Sequence, residues 1–354
     1  MPIFETLSTL GYGELHFAHD TKTGLRAIIG LHSTRLGPAI GGCRIRAYAN
    51  EEEAIDDVTR LARGMTYKAA ISHLPHGGGK SVILAPENLA SFSPAQRADL
   101  FHAFGRMIEG LGGRYLTAED SGTSIEDMNH IHKVTKHVLG SSDAGGSGDP
   151  SPLTALGVRR GIEAVANGVL GRKDLPGLHV VLVGVGHVGT YLAEELHKAG
   201  AKLTIADVVI ARRDQVAKEL GAQVVDVERA LDVECDILSL NALGGAITSD
   251  IARRIKTKAV AGAANNQLRT AEAGRILHER GIFYAPDYAI NAGGLINVAE
   301  EFAGYNRERS REKTLRIYDT ISGIIERSRK ENLPPEVIAD RIADEIIAAG
   351  PKRS

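Results

Sequence analysis

A strand, a glycine-rich turn and a helix follow one another near the middle of the chain, and they constrain its fold more than any other segment. Residues 178–183 are an apolar run without polar alternation, as expected of a strand buried on both faces of a sheet. The run leads into Gly-x-Gly-x-x-Gly at 184–189, after which Leu192, Leu196 and Ala199 follow a helical spacing. Because the N-terminal amides of such a helix favour a pyrophosphate, the segment predicts a doubly wound α/β fold with a nucleotide at the turn.

The next predicted strand, 202–206, ends in Asp207, eighteen residues after Gly189. An acid at this place hydrogen-bonds an adenosine ribose and repels the additional phosphate of NADP. NAD is therefore the predicted cofactor, although Arg212 and Arg213 follow closely and an arginine is how such folds accept that phosphate. The alternative is a purely structural glycine turn. The predicted cofactor contacts of this region are Gly184, Val185, Gly186, His187, Val188, Gly189, Asp207 and Arg212.

Three further strand-like runs, 236–240, 259–263 and 282–285, extend the predicted parallel sheet. Each is followed by a turn that contains asparagine, the first of them at 241–245. Ligands of open parallel sheets bind beyond the carboxyl ends of the strands, so these turns are expected to face the cofactor. Taken singly, each asparagine is explained as well by a turn-stabilising role. The asparagines concerned are Asn241, Asn265, Asn266 and Asn291.

One lysine of the first part of the chain is predicted to lie on the apolar side of a helix. Asn50 and the glutamates after it predict a helix N-terminus with a capping box, in which Glu53 reaches back to the cap. A stripe at spacings of three and four places Lys68 on the inward face, where a charge requires a partner. The alternative is a side chain that extends along the helix to solvent. The stripe consists of Val58, Leu61, Met65 and Lys68.

A second lysine, Lys80, follows three glycines at 77–79 and precedes an apolar run at 81–84 that predicts a strand. The glycines are interpreted as a turn that leaves space for a bound group beside the strand. A phosphate-binding Walker loop is excluded, since the position where it needs its first glycine holds Leu74. Two lysines in such surroundings suggest chemistry on an anion.

Composition narrows the class of protein. With 354 residues, of which 43% are hydrophobic, the chain is long enough for two domains with full cores. The net charge of -2 and the scattered basic residues do not indicate nucleic acid, and no apolar stretch has the length of a membrane span. Cys43 and Cys235 are too few for a disulfide framework and the N-terminus does not resemble a secretory signal, so a cytoplasmic protein is predicted. The histidines lack metal-ligand spacing, and no metal is predicted.

The predicted architecture is α/β with two domains. In the first domain, strand-like runs at 14–18, 26–31, 42–47 and 114–117 alternate with helical runs at 51–70 and 94–111. A polar, glycine-rich passage then predicts a hinge. The predicted divisions are 1–140 for a substrate and oligomerisation domain, 141–150 for the hinge, 151–310 for a Rossmann-like NAD-binding domain and 311–354 for C-terminal helices.

Isoleucines on one face of the C-terminal helical region are expected to return to the first domain or to pack against a partner. They are Ile317, Ile321, Ile324 and Ile325.

Taken in order, these motifs resemble the leucine, phenylalanine and valine dehydrogenases of the glutamate dehydrogenase superfamily. The resemblance covers nearly the whole chain and implies reversible, NAD-dependent oxidative deamination of an L-amino acid to a 2-oxo acid, ammonium and NADH. It also implies a homo-oligomer, a dimer or an octamer. The segments that carry it are 36–42, the two lysine motifs, 117–120, 150–155, 184–189, 262–268 and 286–298.

The resemblance implies a role for each residue of the site. Lys68 would hold the substrate carboxylate, Lys80 would activate the hydrolytic water and Asp120 would shuttle protons beside it. Gly41 and Gly42 would line the substrate cleft. Hydride loss from Cα leaves an iminium that water must attack, so a general base is required, and Lys80 can serve where its surroundings favour the neutral amine.

Other residues are assigned by the same resemblance. Thr154 would bind the nicotinamide carboxamide, and the asparagines after the strands would contact substrate or nicotinamide. Two departures lie near that ring: relatives usually have proline-cysteine-alanine where this chain has Leu240, Asn241 and Ala242, and Ser121 replaces an apolar residue after the catalytic acid. The remaining predicted contacts are Met65 and Asn266 for the substrate, and Asn241, Ala242, Asn265 and Asn291 for the cofactor.

The positions that resemble the side-chain pocket of the family are aliphatic, and none carries a charge that would pair with a glutamate side chain. An apolar amino acid is therefore predicted. The motif strings resemble the leucine branch, but one or two methylenes in such a pocket discriminate by only about 1–3 kcal/mol, so phenylalanine or tryptophan is the alternative. A non-catalytic NAD-binding protein is a more distant one. The pocket positions are Ile40, Ala118, Leu295 and Val298.

Overall fold

A computed structural model describes residues 3–11, 13–242 and 244–351. The outer ends of the predicted first domain and C-terminal segment, and Leu243 of the predicted turn at 241–245, lie outside the described residues. The chain forms two compact units that divide after Gly148, within the predicted hinge. The first unit also contains Val298–Arg307 and the chain from Ala343 onward, while the second consists of Asp149–Asn297 and Glu308–Ile342. Hinge motion at 141–150 stays a prediction.

A mixed sheet forms the centre of the first unit, with the strand order β1-β2-β4-β3-β5. β2 pairs antiparallel with both of its neighbours, β1 and β4, and β3 pairs parallel with both β4 and β5. The elements are α1 (Ile3–Leu10), β1 (Glu14–Asp20), β2 (Leu25–Ser33), β3 (Ala39–Arg46), α2 (Glu51–Ile71), β4 (Gly77–Leu84), α3 (Pro94–Glu109), β5 (Tyr115–Glu119) and α4 (Ile125–His132), with short 3-10 turns at Leu89–Ser91, Ser142–Ala144 and Glu300–Ala303.

Strand alternation divides the side chains of this sheet between two cores. Phe101 and Phe104 of α3 and Met128 of α4 pack on one face, together with Cys43 and Ile83. On the other face α2 packs against the sheet through a second cluster, so residues that alternate with Cys43 and Ile83 point toward α2. The second cluster contains Ile28, Ala54, Val58, Val82 and Leu84.

The three glycines before Lys80 lie inside β4, which corrects their interpretation as a turn. A Cβ on Gly78 would lie 2.0 Å from the backbone nitrogen of Thr66 in α2, and a Cβ on Gly77 would lie 1.8 Å from the carbonyl oxygen of Ser33. Glycine is needed here because neighbouring backbones approach the strand, and no change of chain direction is involved.

The helix that carries Lys68 is confirmed at α2, and its details differ from the prediction. The Asn50 side chain accepts from the N–H of Glu53 at 2.9 Å, but the Glu53 carboxylate accepts from the N–H of Ala49 and not from that of Asn50. Lys68 is partly exposed and lies beside the buried face of α2. Small side chains on that buried face bring α2 close to the glycines of β4. The buried face contains Ala54, Val58, Ala62, Thr66 and Ala69.

The C-terminal end of the chain belongs to the first unit, where it contacts α2 and the loop before β3. The hydroxyl of Tyr67 donates to Asp344 at 2.6 Å, and Arg35 donates to the carbonyls of Ile347 and Ala348 at 2.6 and 2.7 Å. An arginine bound to the last carbonyls of a helix satisfies acceptors that have no partner within the helix.

The second unit is built around a parallel sheet with the order β11-β10-β9-β6-β7-β8, which confirms the Rossmann-like fold. The sequence missed β8. The elements are α5 (Ser151–Gly168), β6 (His179–Val183), α6 (His187–Lys198), β7 (Lys202–Ala206), α7 (Ile210–Leu220), β8 (Gln223–Val224), α8 (Val227–Ala230), β9 (Cys235–Leu240), α9 (Ser249–Arg254), β10 (Thr257–Val260), α10 (Ala271–Glu279), β11 (Phe283–Tyr284), α11 (Asp287–Ile290), α12 (Gly293–Ala299), α13 (Arg307–Leu315), α14 (Ile317–Glu331) and α15 (Pro335–Ala349).

The isoleucine face of the C-terminal region packs inside the second unit. A Cβ on Gly157 of α5 would lie 2.6 Å from Cδ1 of Ile317, and one on Gly168 would lie 3.1 Å from Cδ1 of Ile325. The face of α14 is therefore buried against α5 in the same unit, and the predicted return of the C-terminal region to the first domain is made only from Ala343 onward.

Glu336, in the first turn of α15, is an acid with incomplete hydrogen bonding. A Cβ on Gly274 would lie 1.9 Å from its Oε1, and its Oε2 is buried without a hydrogen-bond partner among the described residues. Burial raises the pKa of Glu336 to about 7, and the charge of Asp340 acts in the same direction. Neutral Glu336 is therefore the form that the fold favours.

Replacing Glu336 with glutamine should remove part of the pH dependence of stability. Because folding raises the pKa of this acid, its contribution is complete below its ordinary value and is lost as pH rises through about 7. The loss is on the order of 2–3 kcal/mol. Denaturant unfolding should show that the free energy of unfolding of E336Q is higher than that of the parent protein above neutral pH but not in mild acid. An equal difference in both conditions, or the same gain in an E279Q control at an exposed position, would contradict this.

Candidate functional site

Lys80 and Asp120 form a mostly buried ion pair in the first unit. The Nζ of Lys80 lies 2.9 Å from Oδ2 of Asp120, and the two side chains are 7% and 23% exposed. Lys80 lies in the middle of β4, two residues before Val82, so both side chains point to the sheet face covered by α2. Asp120 directly follows β5, and its N–H donates to the hydroxyl of Thr123 at 3.0 Å. The structure thus brings together the two residues predicted to be catalytic.

The surroundings of Asp120 favour its ionised form. Burial raises the pKa of this carboxyl, but the charge and hydrogen bond of Lys80 and the charge of Arg44 lower it more, so the pKa lies below its ordinary value. The Nε of Arg44 donates to the same Oδ2 at 3.0 Å. A carboxylate next to an amine in a protected site has the geometry required for passing protons between them.

Glycine at position 42 makes the room for this pair. A Cβ on Gly42 would lie 2.7 Å from Cβ of Asp120 and 3.1 Å from Nζ of Lys80. Gly41 has a different reason to lack a side chain, since its Cβ would lie 1.9 Å from the carbonyl oxygen of Gly79. Gly42 thus borders the Lys80–Asp120 pair directly, whereas Gly41 allows β3 and β4 to approach each other.

The predicted carboxylate-binding lysine lies on a neighbouring element. Lys68 and Met65 are partly exposed residues of α2, the helix that covers the face of β4 on which Lys80 lies. The hydroxyl of Thr66 donates to the carbonyl of Gly78 at 3.4 Å, so this part of α2 is held directly on β4. Lys68 and Lys80 are thus positioned by two elements in direct contact.

The predicted side-chain pocket is divided between the units. Ile40 and Ala118 lie on β3 and β5 of the first unit; Ile40 is buried, and Ala118 is partly exposed and pairs with Gly42 across the strands. Leu295 and Val298 are partly exposed residues of α12, the former in the second unit and the latter in the first.

In the second unit the glycine turn has the shape that a pyrophosphate requires. Gly184 has φ of 99°, and its Cβ would lie 2.7 Å from Cβ of Ala242; a Cβ on Gly189 would lie 2.1 Å from the carbonyl oxygen of Gly184. A Cβ on Gly186, by contrast, would have no heavy atom within 4 Å. Gly186 is also the N-cap of α6 and provides no side-chain cap, so the exposed His187 and the partly exposed Val188 begin the helix. The residues of this turn fit a dinucleotide.

Asp207 directly follows β7 and contacts the same turn. Its carboxylate accepts from the N–H groups of Val185 and Val209, both at 2.8 Å, and Arg212 donates to its two oxygens at 2.8 and 2.9 Å. Burial raises the pKa of Asp207, but these donors lower it more, and the net direction is downward. The acid is thus held in its ionised form beside the glycine turn.

The asparagines after β10 and β11 are joined. The side-chain amide of Asn291 donates to the carbonyl of Ala263 and to Oδ1 of Asn265, both at 2.8 Å. Asn265 and Asn266 are exposed, and Asn266 has a left-handed φ of 51°. Buried Gln267, which sequence reasoning missed, donates to the carbonyls at both ends of this turn, of Gly262 and Ala264. A glutamine directly after two asparagines was the available signal.

Asn241 cross-links the ends of two strands, a role that its sequence departure did not indicate. Its Oδ1 accepts from the N–H of Ala263 at 2.9 Å, and its backbone N–H donates to the carbonyl of Val183. The next residue, exposed Ala242, lies against Gly184. Asparagine here therefore fastens the turn after β9 to the turn after β10.

Thr154 lies in the first turn of α5, and its hydroxyl donates to the carbonyl of Pro150 at 2.9 Å. A Cβ on Gly294 would lie 2.8 Å from that hydroxyl oxygen, and a Cβ on Gly293 would lie 2.1 Å from the carbonyl oxygen of Leu153. The two glycines that begin α12 thus allow it to pack closely on the start of α5.

Sequence reasoning also missed Arg44. The residue is on β3, and its guanidinium contacts both Asp120 and Asp57. The available signal was its spacing of two from Gly42, which predicts that both residues lie on one face of a strand.

The described residues provide neither a cluster of metal ligands nor a membrane-spanning helix. No group of three or more histidine, cysteine, aspartate or glutamate side chains in the described ranges is placed to hold a metal ion. Within those ranges no helix combines the length and the apolar character needed to span a bilayer.

The sequence matches two family profiles. Residues 13–137 match the Glu/Leu/Phe/Val dehydrogenase dimerisation domain, and residues 205–314 match the glutamate/leucine/phenylalanine/valine dehydrogenase domain. These segments contain the Lys80–Asp120 pair and Asp207, respectively.

Similar proteins cover nearly the whole chain. A leucine dehydrogenase of Thermoactinomyces intermedius is 48% identical over 98% of this chain and 94% of its own length. A phenylalanine dehydrogenase of Bacillus thermotolerans is 42% identical over 99% of this chain and 92% of its own. The crystal structure of L-tryptophan dehydrogenase from Nostoc punctiforme superimposes with a TM-score of 0.87 at 37% identity, covering 98% of both chains. The chain therefore belongs to the glutamate/leucine/phenylalanine/valine dehydrogenase family of amino acid dehydrogenases.

Proposed function

We propose that this enzyme catalyses the reversible, NAD-dependent oxidative deamination of an apolar L-amino acid, with leucine and its branched-chain relatives as preferred substrates. The observation that carries the proposal is the buried Lys80, 2.9 Å from Asp120, in a chain whose second unit has a glycine turn suited to a dinucleotide. A purely NAD-binding protein would not need a buried amine and carboxylate in a separate unit.

The proposed mechanism assigns a task to each group. NAD, which the glycine turn at 184–189 and Asp207 would hold, would supply the acceptor for the hydride of the amino acid Cα. Lys68 pairs with the substrate carboxylate, and the neutral amine of Lys80 takes a proton from the water that attacks the resulting iminium carbon. Asp120, ionised at rest because of its surroundings, takes this proton from Lys80 and passes it to the nitrogen; the second proton of the water follows as the carbinolamine collapses, so that ammonium and a 2-oxo acid leave. Lys80 as a whole residue is only 6% exposed. Electrostatic interactions are stronger in a site protected from water in this way.

The substrate preference rests on the uncharged residues of the proposed pocket. Ile40, Ala118, Leu295 and Val298 offer no partner for a second carboxylate, which disfavours glutamate. The small, partly exposed Ala118 leaves space for a larger side chain, so an aromatic amino acid is the second candidate. The 48% identity to a leucine dehydrogenase supports the branched-chain assignment.

A panel of L-amino acids, followed by NADH absorbance, tests this proposal. Leucine, valine and isoleucine should give the highest kcat/KM, phenylalanine and tryptophan lower values, and glutamate and D-leucine none. A preference for phenylalanine or tryptophan would select the aromatic alternative. Absence of turnover with every apolar L-amino acid would reject both dehydrogenase assignments.

The choice of NAD over NADP is proposed from Asp207. The ionised acid would repel a 2′-phosphate, and both of its oxygens accept from Nη2 of Arg212. Replacing Asp207 with serine should raise the ratio of kcat/KM for NADP to that for NAD by about tenfold or more, since Arg212 then becomes available to the phosphate. The double variant D207S/R212A should lose that gain. An unchanged ratio in D207S would contradict the assignment.

The assembly and the compartment are proposed on similar grounds. We infer a homo-oligomer, because the matching profile of the first unit describes a dimerisation domain. A dimer and an octamer remain the two predicted forms. The cytoplasm is the proposed compartment, in keeping with Cys43 and Cys235, which are buried and not bridged to each other.

A further inference from the structure

Arg44 connects the catalytic carboxylate to a second buried carboxylate. Its Nε donates to Oδ2 of Asp120 at 3.0 Å, and its Nη1 donates to Oδ2 of Asp57 at 2.9 Å. The arginine side chain is 18% exposed. Because a guanidinium is planar and its donors have fixed directions, one arginine bound at both ends fixes the separation of the two acids.

The position of Arg44 follows from the alternation of β3. Cys43 and Ile45 belong to the apolar cluster beneath the sheet, so Gly42 and Arg44 lie on the opposite face. Gly42 leaves that face open at Asp120 and Lys80. Arg44 then passes alongside them to reach α2, which covers this face and carries Asp57.

The far end of the bridge is firmly anchored. Asp57 is 7% exposed, and it accepts from the hydroxyl of Tyr48 at 2.9 Å and from Arg60 at 2.8 Å as well as from Arg44. Burial raises the pKa of Asp57, but Arg44 and Tyr48 lower it more, so the net direction is downward. Asp57 is therefore a fixed negative charge to which Arg44 is tied.

The bridge has a consequence for the proposed reaction. Lys80 and Arg44 both contact Oδ2 of Asp120, at 2.9 and 3.0 Å. When Lys80 acts as a base it starts as a neutral amine, and a buried carboxylate next to a neutral amine tends to take up a proton. Arg44 keeps its charge throughout, because burial lowers its pKa less than Asp120 and Asp57 raise it. One cation therefore stays on Asp120 at every stage of the proton transfer.

We propose that Arg44 is a positioning residue that holds Asp120 in a fixed orientation and returns it to its ionised form after each proton transfer with Lys80, with Asp57 as its anchor on α2. This inference rests on the proposed function and extends it to a residue outside the predicted catalytic set. Arg44 acts through Asp120 and has no assigned contact with substrate or cofactor.

Other charges around Asp120 act in both directions. Lys80 on β4 and Arg44 on β3 favour the carboxylate. Glu119 next to it and Asp127 of α4 add negative charge, and burial together with Asp127 and Asp120 raises the pKa of Glu119. Asp57 of α2 acts through Arg44. Among these groups Arg44 is the cation that does not change its charge during the proposed reaction.

The test compares R44Q, R44K and R60Q with the parent enzyme. The acidic limb of kcat/KM falls as the Lys80–Asp120 pair takes up a proton, and loss of the nearby Arg44 charge favours that proton, so R44Q should move the limb upward by about one pH unit or more. R44K retains the charge but not the two-ended bridge, so its limb should stay near the parent position while kcat falls about tenfold. R60Q removes only Arg60, the partner of Asp57 whose own side chain is 53% exposed, and it should leave the acidic limb in place.

A titration that needs no turnover separates this inference from the proposed function. Infrared difference spectra should show the carboxylic acid band of Asp120, identified by its absence in D120N, at a pH about one unit higher in R44Q than in the parent. An unshifted band in folded R44Q would overturn the role of Arg44 even if the parent turns over leucine. If R44Q fails to fold, parent-like kcat in R44K overturns the bridge, and a tenfold lower kcat with an unmoved limb supports it. An inactive parent with a shifted band would reject the proposed function alone.

Discussion

Replacing Lys80 with alanine should lower kcat by about 10²–10⁴-fold or more, the range that positioned proton transfer supplies. The variant loses the group that activates water, while Asp120 keeps its contact with Arg44 at 3.0 Å, so the fold should persist. Steady-state NADH formation with leucine gives kcat, and thermal unfolding checks the fold.

A matched variant and a rescue experiment sharpen this prediction. Lys258 pairs with Asp236 at 2.8 Å and is 66% exposed, so K258A should retain the parent kcat. A small primary amine added to K80A should restore part of the lost rate, because the space left by the side chain lies beside Asp120. K80A with more than about a tenth of the parent kcat would remove Lys80 from the role of base.

Replacing Gly78 with alanine should destabilise the protein by about 2–3 kcal/mol or more. The new Cβ would lie 2.0 Å from the backbone nitrogen of Thr66 and 2.4 Å from its Oγ1, and a backbone atom cannot rotate away. α2 must then move off β4, which displaces Lys68 relative to Lys80. Denaturant unfolding measures the stability, and the KM for leucine should rise in the variant that still folds.

Gly64 provides the matched control on the same helix. A Cβ on Gly64 has no heavy atom within 4 Å, and the residue is exposed in the interior of α2. G64A should therefore stabilise the protein by up to about 1 kcal/mol through helix propensity. Equal stability of G78A and the parent would show that the close packing of α2 on β4 is not needed.

Local patterns in the sequence predicted the second unit well. The run before Gly184, the glycine turn and the helix after it are contiguous in sequence, so strand, turn and helix signals fall within a short window. Asp207 closes the same unit at a fixed spacing. The short strand β8 was missed because two residues carry no periodic pattern.

Features of the first unit depend on contacts between distant residues, and these the sequence did not reveal. The strand positions before Lys80 must be glycine because Thr66 and Ser33 approach their backbone, and neither approach has a local signature in the sequence. Arg44 is 76 positions from Asp120 and 13 from Asp57. Such a bridge follows only from the parallel pairing of β3 with β4 and β5 and from the packing of α2.

The return of the C-terminal region to the first unit was one of its two predicted destinations, but the residues that make the contacts could not be predicted. Arg35 contacts carbonyls 312 and 313 positions later in the chain, and Tyr67 contacts Asp344. The periodic isoleucines of α14 showed that one face is buried, but a periodic pattern does not say which element covers it. The packing of Ile317 and Ile325 on α5 supplied the answer.

The stoichiometry of leucine oxidation tests the central claim most directly. Purified enzyme with L-leucine and NAD should form one equivalent each of NADH, ammonium and 2-oxo acid for each leucine consumed, and the reverse reaction should consume all three products in the same ratio. Formation of NADH without ammonium, or no consumption of leucine or of any other apolar L-amino acid, would contradict the account.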